Sequence, residues 1–181
     1  RIQHPTITKM LPILIFYNFG NALASGIQKP MLKDMGYTLS DIALYSGLLG
    51  SFTALLGALI AAILLSRFPR REMLFLFGLA QTFSISLFLV FLFTQNLIVL
   101  NSALGLEHLF GTMATVGLFA LMMDCAEVEF AAVDYTIFAS VVVITTGLAK
   151  LSSGLVAQMI GYLGLFGIAS ILSGLGAFFV A

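Results

Sequence analysis

Apolar residues run along this sequence in long unbroken stretches rather than in alternation. Six stretches approach the length of about 20 residues that a helix needs to cross a bilayer: 10–32, 42–65, 73–95, 97–123, 135–158 and 161–181. Runs such as Leu74 to Phe93 and Val141 to Ile144 lack the in–out alternation of barrel strands of about 10 residues. The pattern therefore predicts an all-α integral membrane chain of six transmembrane helices, with nothing left over for a soluble domain.

Composition agrees. Of 181 residues, 60% are hydrophobic and 9% charged, against roughly 25% charged in a soluble domain, and mean hydropathy is +1.10. Such a chain cannot cover a water-facing surface, which excludes a soluble helical bundle. Eight basic residues balance eight acidic ones, so no basic face is offered to nucleic acid. The single cysteine, Cys125, excludes a disulfide framework and a cysteine-built metal site. No metal or cofactor is expected.

The basic residues set an orientation. Arg1 and Lys9 precede the first helix, and Arg67, Arg70 and Arg71 lie between the second and third. If all six helices cross, both places fall on one side, and the positive-inside rule makes that side, with the N-terminus, cytoplasmic. The acidic stretch 124–134 falls on the same side. Tyr37, Tyr45, Tyr135 and Tyr162 sit near helix ends, as interfacial aromatics do. The chain starts with Arg1 and stops within the apolar run Gly176 to Ala181, so a piece of a longer membrane protein is expected.

A weak internal repeat divides the chain into 1–96 and 97–181, three helices each. Phe19-Gly20 with Gly26 recurs as Phe110-Gly111 with Gly117; Gly50 and Gly57 recur as Gly147 and Gly154; Phe77-Gly78-Leu79-Ala80 resembles Phe166-Gly167-Ile168-Ala169. The pairs appear in order, joining helix one with four, two with five and three with six. An odd number of helices per copy gives the copies opposite topology, the 3+3 inverted repeat found in each half of a major facilitator transporter.

Polar groups in hydrocarbon are costly, so their positions carry functional information. Asn18, Asn21, Ser25 and Gln28 fall within about 80° of one face at 100° per residue. The fourth helix carries Asn101, Gly105, His108, Thr112 and Thr115 in one stripe, and the fifth carries Thr146, Lys150 and Ser153. The third and sixth carry no charge between their ends and should face lipid. Helices one, four and five should therefore line an aqueous cavity, with Asn18, Asn21, Ser25, Gln28, His108, Thr112 and Lys150 facing substrate. The alternative is that these groups only hydrogen-bond between packed helices. Lys29 and Lys33 at the outer mouth either attract an anion or snorkel to headgroups.

Glu107 and Lys150 lie deepest. At 1.5 Å per residue they sit about 15 Å and about 12 Å from the outer ends of their helices, so an ion pair is geometrically possible. An Asp, Lys or Arg at a helix centre costs about 2.5–3.5 kcal/mol to insert, and Glu should be similar. A carboxyl caught between desolvation and a nearby cation is placed to load and release a proton. Glu107, or His108 beside it, is the candidate for proton coupling; a structural pair locking the bundle is the competing reading. Glu107 lies about 100° round from His108, beside Gly111 and Ala114, which turns it toward a neighbouring helix.

Ser66-Arg67-Phe68-Pro69-Arg70-Arg71 resembles the cytoplasmic loop motif of the major facilitator superfamily, Asp-Arg-x-Gly-Arg-Arg. Arg67, Arg70 and Arg71 match, while Ser66 and Pro69 depart. Over most of its length the chain also resembles the muropeptide permease (AmpG-like) family. The residues that carry this are Tyr17-Asn18-Phe19-Gly20-Asn21-Ala22, Gly47 to Arg67, Phe77-Gly78-Leu79-Ala80-Gln81, Glu107-His108-Leu109-Phe110-Gly111-Thr112-Met113 and Asp134-Tyr135-Thr136-Ile137-Phe138-Ala139-Ser140. Glu107 stands where that family also has a glutamate, and Asn21 where an aspartate is common. The resemblance implies the C-terminal six helices of a twelve-helix transporter in a bacterial inner membrane. The N-terminal six-helix half would be its partner, and the cargo an anhydromuramyl peptide taken in with protons. A siderophore or acyl-coenzyme A permease of the same superfamily is the alternative. An intramembrane enzyme using Glu107 and His108 is a remote one, because His4 and Cys125 lie far from His108 along the chain. A structural membrane subunit would leave the repeat and the polar stripes without a purpose.

Overall fold

A computed structural model of the chain describes residues 5–180, with side chains from Met10 onward. Arg1 lies outside the described residues, as does the side chain of Lys9, so their part in the orientation argument has no structural counterpart.

Helix α1, Pro5–Asp34, ends where Gly36 takes φ +89. Gly36 N–H then donates to Lys33 O and Tyr37 N–H to Leu32 O, the paired bonds by which a glycine closes a helix. Thr38 caps α2, Leu39–Ile42, in a reciprocal box with Asp41. A π-helical turn, Ala43–Leu49, joins α2 to α3, Gly50–Arg67. Phe68 is extended ahead of Pro69, as residues before proline are. Helix α4, Arg70–Thr94, follows and stops at left-handed Gln95; Asn96 then caps α5, Leu97–Cys125, by accepting from Ile98 N–H at 2.8 Å. A short 3-10 turn, Val128–Phe130, leads into α6, Ala131–Phe178.

Five helical runs are long and apolar enough to cross a membrane, and no strand occurs among the described residues. The last run, Val128–Phe178, has 51 residues. At 1.5 Å each it would measure roughly 75 Å, against a hydrocarbon core of about 30 Å. Gly161 resolves the conflict: its φ of 74° and ψ of 172° break the helix there. The arm before Gly161 runs along α1 in the same direction, since Asn18 bonds Thr146 and Asp34 bonds Tyr162. The arm after it returns. A Cβ added at Gly20 would lie 2.5 Å from Ser173 N, and one at Gly176 would lie 2.6 Å from Tyr17 Cα. These helices touch backbone to backbone, as small residues allow in membranes.

The helix ends differ from those read in the sequence. The first helix extends back to Pro5, the second begins at Leu39, and the fifth begins at Ala131 rather than 135. No loop separates the fifth and sixth; one glycine turns the chain. Two apolar clusters fill the interior, one around Leu14, Leu74, Met122 and Phe138, the other around Leu32, Phe88, Leu104 and Phe166. Leu44, Leu48, Phe52, Leu55, Leu59 and Ile63 stay exposed on the second run.

Arg70, Arg71, Asp124 and Val180 meet at one end of the bundle: Arg70 bonds Asp124 and Ala120 O, and Arg71 bonds Val180 O. Asp34, Tyr37, Gln95 and Tyr162 gather at the other. Arg67 is exposed beside the first group.

Candidate functional site

A cleft of about 490 Å³ opens between α1, α5 and the first arm of α6. Asn18, Asn21 and Ser25 line it from α1, Thr115 from α5, and Thr146 and Lys150 from α6. One turn of helix separates each from the next on its own element, so each helix contributes one stripe. Asn18 Nδ2 donates to Thr146 Oγ1, tying α1 to α6 within the cleft wall. Lys150 is exposed and is the one ionisable group on the lining. Four of the seven residues assigned to the cavity from the sequence thus come together: Asn18, Asn21, Ser25 and Lys150.

Gln28, His108 and Thr112 do not line this cleft. Gln28, 2% exposed, turns away from it toward the Glu107 carboxyl. His108 packs over α3, where a Cβ on Gly50 would lie 2.6 Å from the imidazole ring. Thr112 is half-buried. The physical reason is the neighbour that α5 meets along its length. His108 stands only about 20° round the helix from Thr115 at 100° per residue, but two turns along it is α3 that crosses α5, with Gly50 against the His108 ring and Gly57 against Leu109 O.

Glu107 is 3% exposed, inside the bundle behind the cleft. His108 Nδ1 lies 4.0 Å from Glu107 Oε2, Gln28 flanks the carboxyl, and Lys150 acts on it from farther away. No ion pair within 4.0 Å joins Glu107 to Lys150 among the described residues. Glu107 Oε2, His108 Nε2 and Asn21 Oδ1 are buried without a hydrogen-bond partner. Gln28 Nε2 is a fourth; each such orphan in an interior calls for an explanation, and here the four share one neighbourhood.

Sequence reasoning missed a second polar seam. Between α4 and the returning arm of α6, Thr82 donates to Ser173 Oγ at 3.0 Å, Gln81 Nε2 reaches the same oxygen at 3.5 Å, and Ser86 bonds Ser170. These two helices were read as lipid-facing because they carry no internal charge. One face of each is exposed and apolar, with Leu76, Phe83 and Val90 on α4 and Ile168, Ile171 and Leu175 on α6. The signal lay in Thr82 with Ser86 and Ser170 with Ser173, spaced for one face of each helix. Among the described residues no cluster of three His, Cys, Asp or Glu could hold a metal ion.

No protein-family model matches the chain. It is 24% identical to transporter AmpG 4 of Rickettsia conorii over 159 residues, 87% of this chain and 38% of that protein. It is 25% identical to the anhydromuropeptide permease of Escherichia coli K12 over 133 residues, 72% of this chain and 27% of that one. Transporter AmpG 1 of Rickettsia prowazekii is 24% identical over 161 residues, 88% of this chain and 36% of that protein. The chain resembles the AmpG-type permeases. It spans well under half the length of these relatives, and their names speak for a transport role rather than an enzymatic one. This AmpG-like chain has an apolar exterior, a cleft lined in part by amides, hydroxyls and one ammonium, and a carboxyl behind the cleft wall.

Proposed function

We propose that the chain is the C-terminal half of a secondary active transporter of the major facilitator superfamily, importing an anhydromuramyl peptide by alternating access with protons. In this reading Gly161 divides the last helical run into two, giving six crossings as a 3+3 inverted repeat, 1–96 and 97–181. The partner is the N-terminal six-helix half, and the protein sits in a bacterial inner membrane with its Arg70 end in the cytoplasm. Asn18, Asn21, Ser25 and Lys150 bind the solute, and Glu107 with His108 carries the proton.

The observation that carries this reading is the cleft. Amides, hydroxyls and one ammonium from three helices converge at membrane depth, where polar groups mark transport pathways. The resemblance to permeases supports it. An anhydromuramyl peptide offers hydroxyls and amides to the Asn and Thr side chains and a carboxylate to Lys150. Whole-cell uptake of labelled anhydromuramyl tripeptide, competed with unlabelled ferric siderophore and acyl-coenzyme A, tests the cargo. Competition by muropeptide alone is the expected result. Displacement by a siderophore or acyl-coenzyme A instead would move the assignment to that cargo.

A further inference from the structure

Glu107 faces a difficulty as a proton carrier, because it is buried behind the wall of the cleft it would serve. Gly111, one turn further along α5, adds no side chain to that wall. A Cβ added there would lie 3.4 Å from Asn21 Nδ2, 3.7 Å from Asn21 Oδ1 and 3.7 Å from Glu107 Oε1. The amide and the carboxyl therefore both border the methyl-sized space beside the bare glycine backbone. Asn21 also lines the cleft, and its buried Oδ1 has no hydrogen-bond partner, like Glu107 Oε2. Thr115, another lining residue, donates to Gly111 O at 2.8 Å, which holds this turn of α5 at the cleft edge.

We propose that Asn21 links the cleft to the buried Glu107 across the gap that Gly111 keeps open, and so couples occupancy of the cleft to the protonation of Glu107. The inference rests on the proton-coupled reading above and adds the route. In the proposed step a protonated Glu107 turns its O–H toward Asn21 Oδ1 across the space beside Gly111. When solute draws the Asn21 amide into the cleft, water from the cleft enters that space, the O–H bond breaks and the water takes the proton as hydronium into the cleft, leaving the carboxylate. The groups that act on Glu107 in this structure are His108 on its own helix, Lys150 from α6 and the uncharged Gln28 from α1. None of them both lines the cleft and meets Glu107 at Gly111. Asn21 is thus a positioning residue, acting through Glu107.

Gly111 provides the test, because a side chain added there enters the space between the two groups and the residue is not on the cleft lining. The spacings of 3.4–3.7 Å are ordinary van der Waals contacts, so an alanine methyl fits and insulates the amide from the carboxyl. Serine puts a hydroxyl in the same place and restores a polar link. The full-length protein is reconstituted and assayed with labelled anhydromuramyl tripeptide in two modes: accumulation driven by a one-unit pH step, and counterflow without a gradient.

With one proton per solute, one pH unit supports about tenfold accumulation in the wild type. Gly111→Ala is expected to lose that accumulation and keep counterflow, while Gly111→Ser keeps both. Accumulation by Gly111→Ala equal to wild type would overturn the link, as would identical behaviour of the Ala and Ser variants. If Glu107→Gln also accumulates like wild type, the proton-coupled reading itself fails; if only Gly111→Ala does, the route alone fails. Should Gly111→Ala not be recovered folded, Asn21→Leu reads the same link through the ratio of driven accumulation to counterflow. That ratio is expected to fall about tenfold by the same conversion, and an unchanged ratio overturns the proposal.

Discussion

Glu107, the proposed proton carrier, is 3% exposed inside the bundle. Its turn toward a neighbouring helix was legible in the sequence, because the 100° step per residue fixes it. Its distance from Lys150 was not, since that depends on how a long side chain is extended. Glu107→Gln preserves shape and removes the titrating group, so uptake is expected to lose its dependence on external pH while the protein melts as the wild type does. A pH profile of uptake beside a melting curve checks this. Backbone contact gives a second prediction at the same scale. Gly20→Val would force side-chain atoms onto the Ser173 backbone, where even a Cβ sits at 2.5 Å; overpacking of this kind costs about 1–3 kcal/mol. Gly167→Ala, with nothing within 4 Å, should melt unchanged in the same detergent.

Among the elements, the last helical run breaks close to where the sequence separates two spans. The apolar stretches 135–158 and 161–181 put the junction at residues 159–160, and the helix from Ala131 to Phe178 is interrupted at Gly161, without the loop that two separate helices would have. A glycine at φ 74°, ψ 172° suffices, in a region that other residues enter at a cost of about 1–3 kcal/mol. Gly161→Ala should lower the melting temperature accordingly and leave the cleft residues in place. An unaltered melting curve would argue that the turn is not held in that conformation. The α4–α6 seam was hidden because serines and threonines on an apolar helix read as tolerated neighbours until a partner helix is beside them. Ser173→Ala removes the partner of both Gln81 and Thr82, and intramembrane hydrogen bonds average about 0.6 kcal/mol each. A loss of roughly 1 kcal/mol in detergent unfolding is expected, twice that average.

As a whole, the molecule has two distinguishable ends and a cleft between them. The six apolar runs and the stripes on helices one, four and five were readable from periodicity alone, and the structure joins residues of all three stripes in one cleft. Gln28 and His108 could not be placed so easily, because a stripe along a helix of 29 residues faces more than one neighbour. Cys125 is half-buried next to Asp124, which pairs with Arg70. In a protein otherwise free of cysteine, a membrane-impermeant maleimide should label it only from the cytoplasmic side, and labelling from outside would reverse the proposed orientation. The central claim, that this cleft carries a solute, is tested most directly by counterflow of labelled anhydromuramyl tripeptide in proteoliposomes of the full-length wild type and of Lys150→Ala. A hydrogen bond to a charged group contributes about 1.5–3 kcal/mol, so the account predicts exchange in the wild type and a KM raised roughly tenfold to a hundredfold in the variant. Equal KM values, or a wild type that does not exchange the tripeptide, would contradict it.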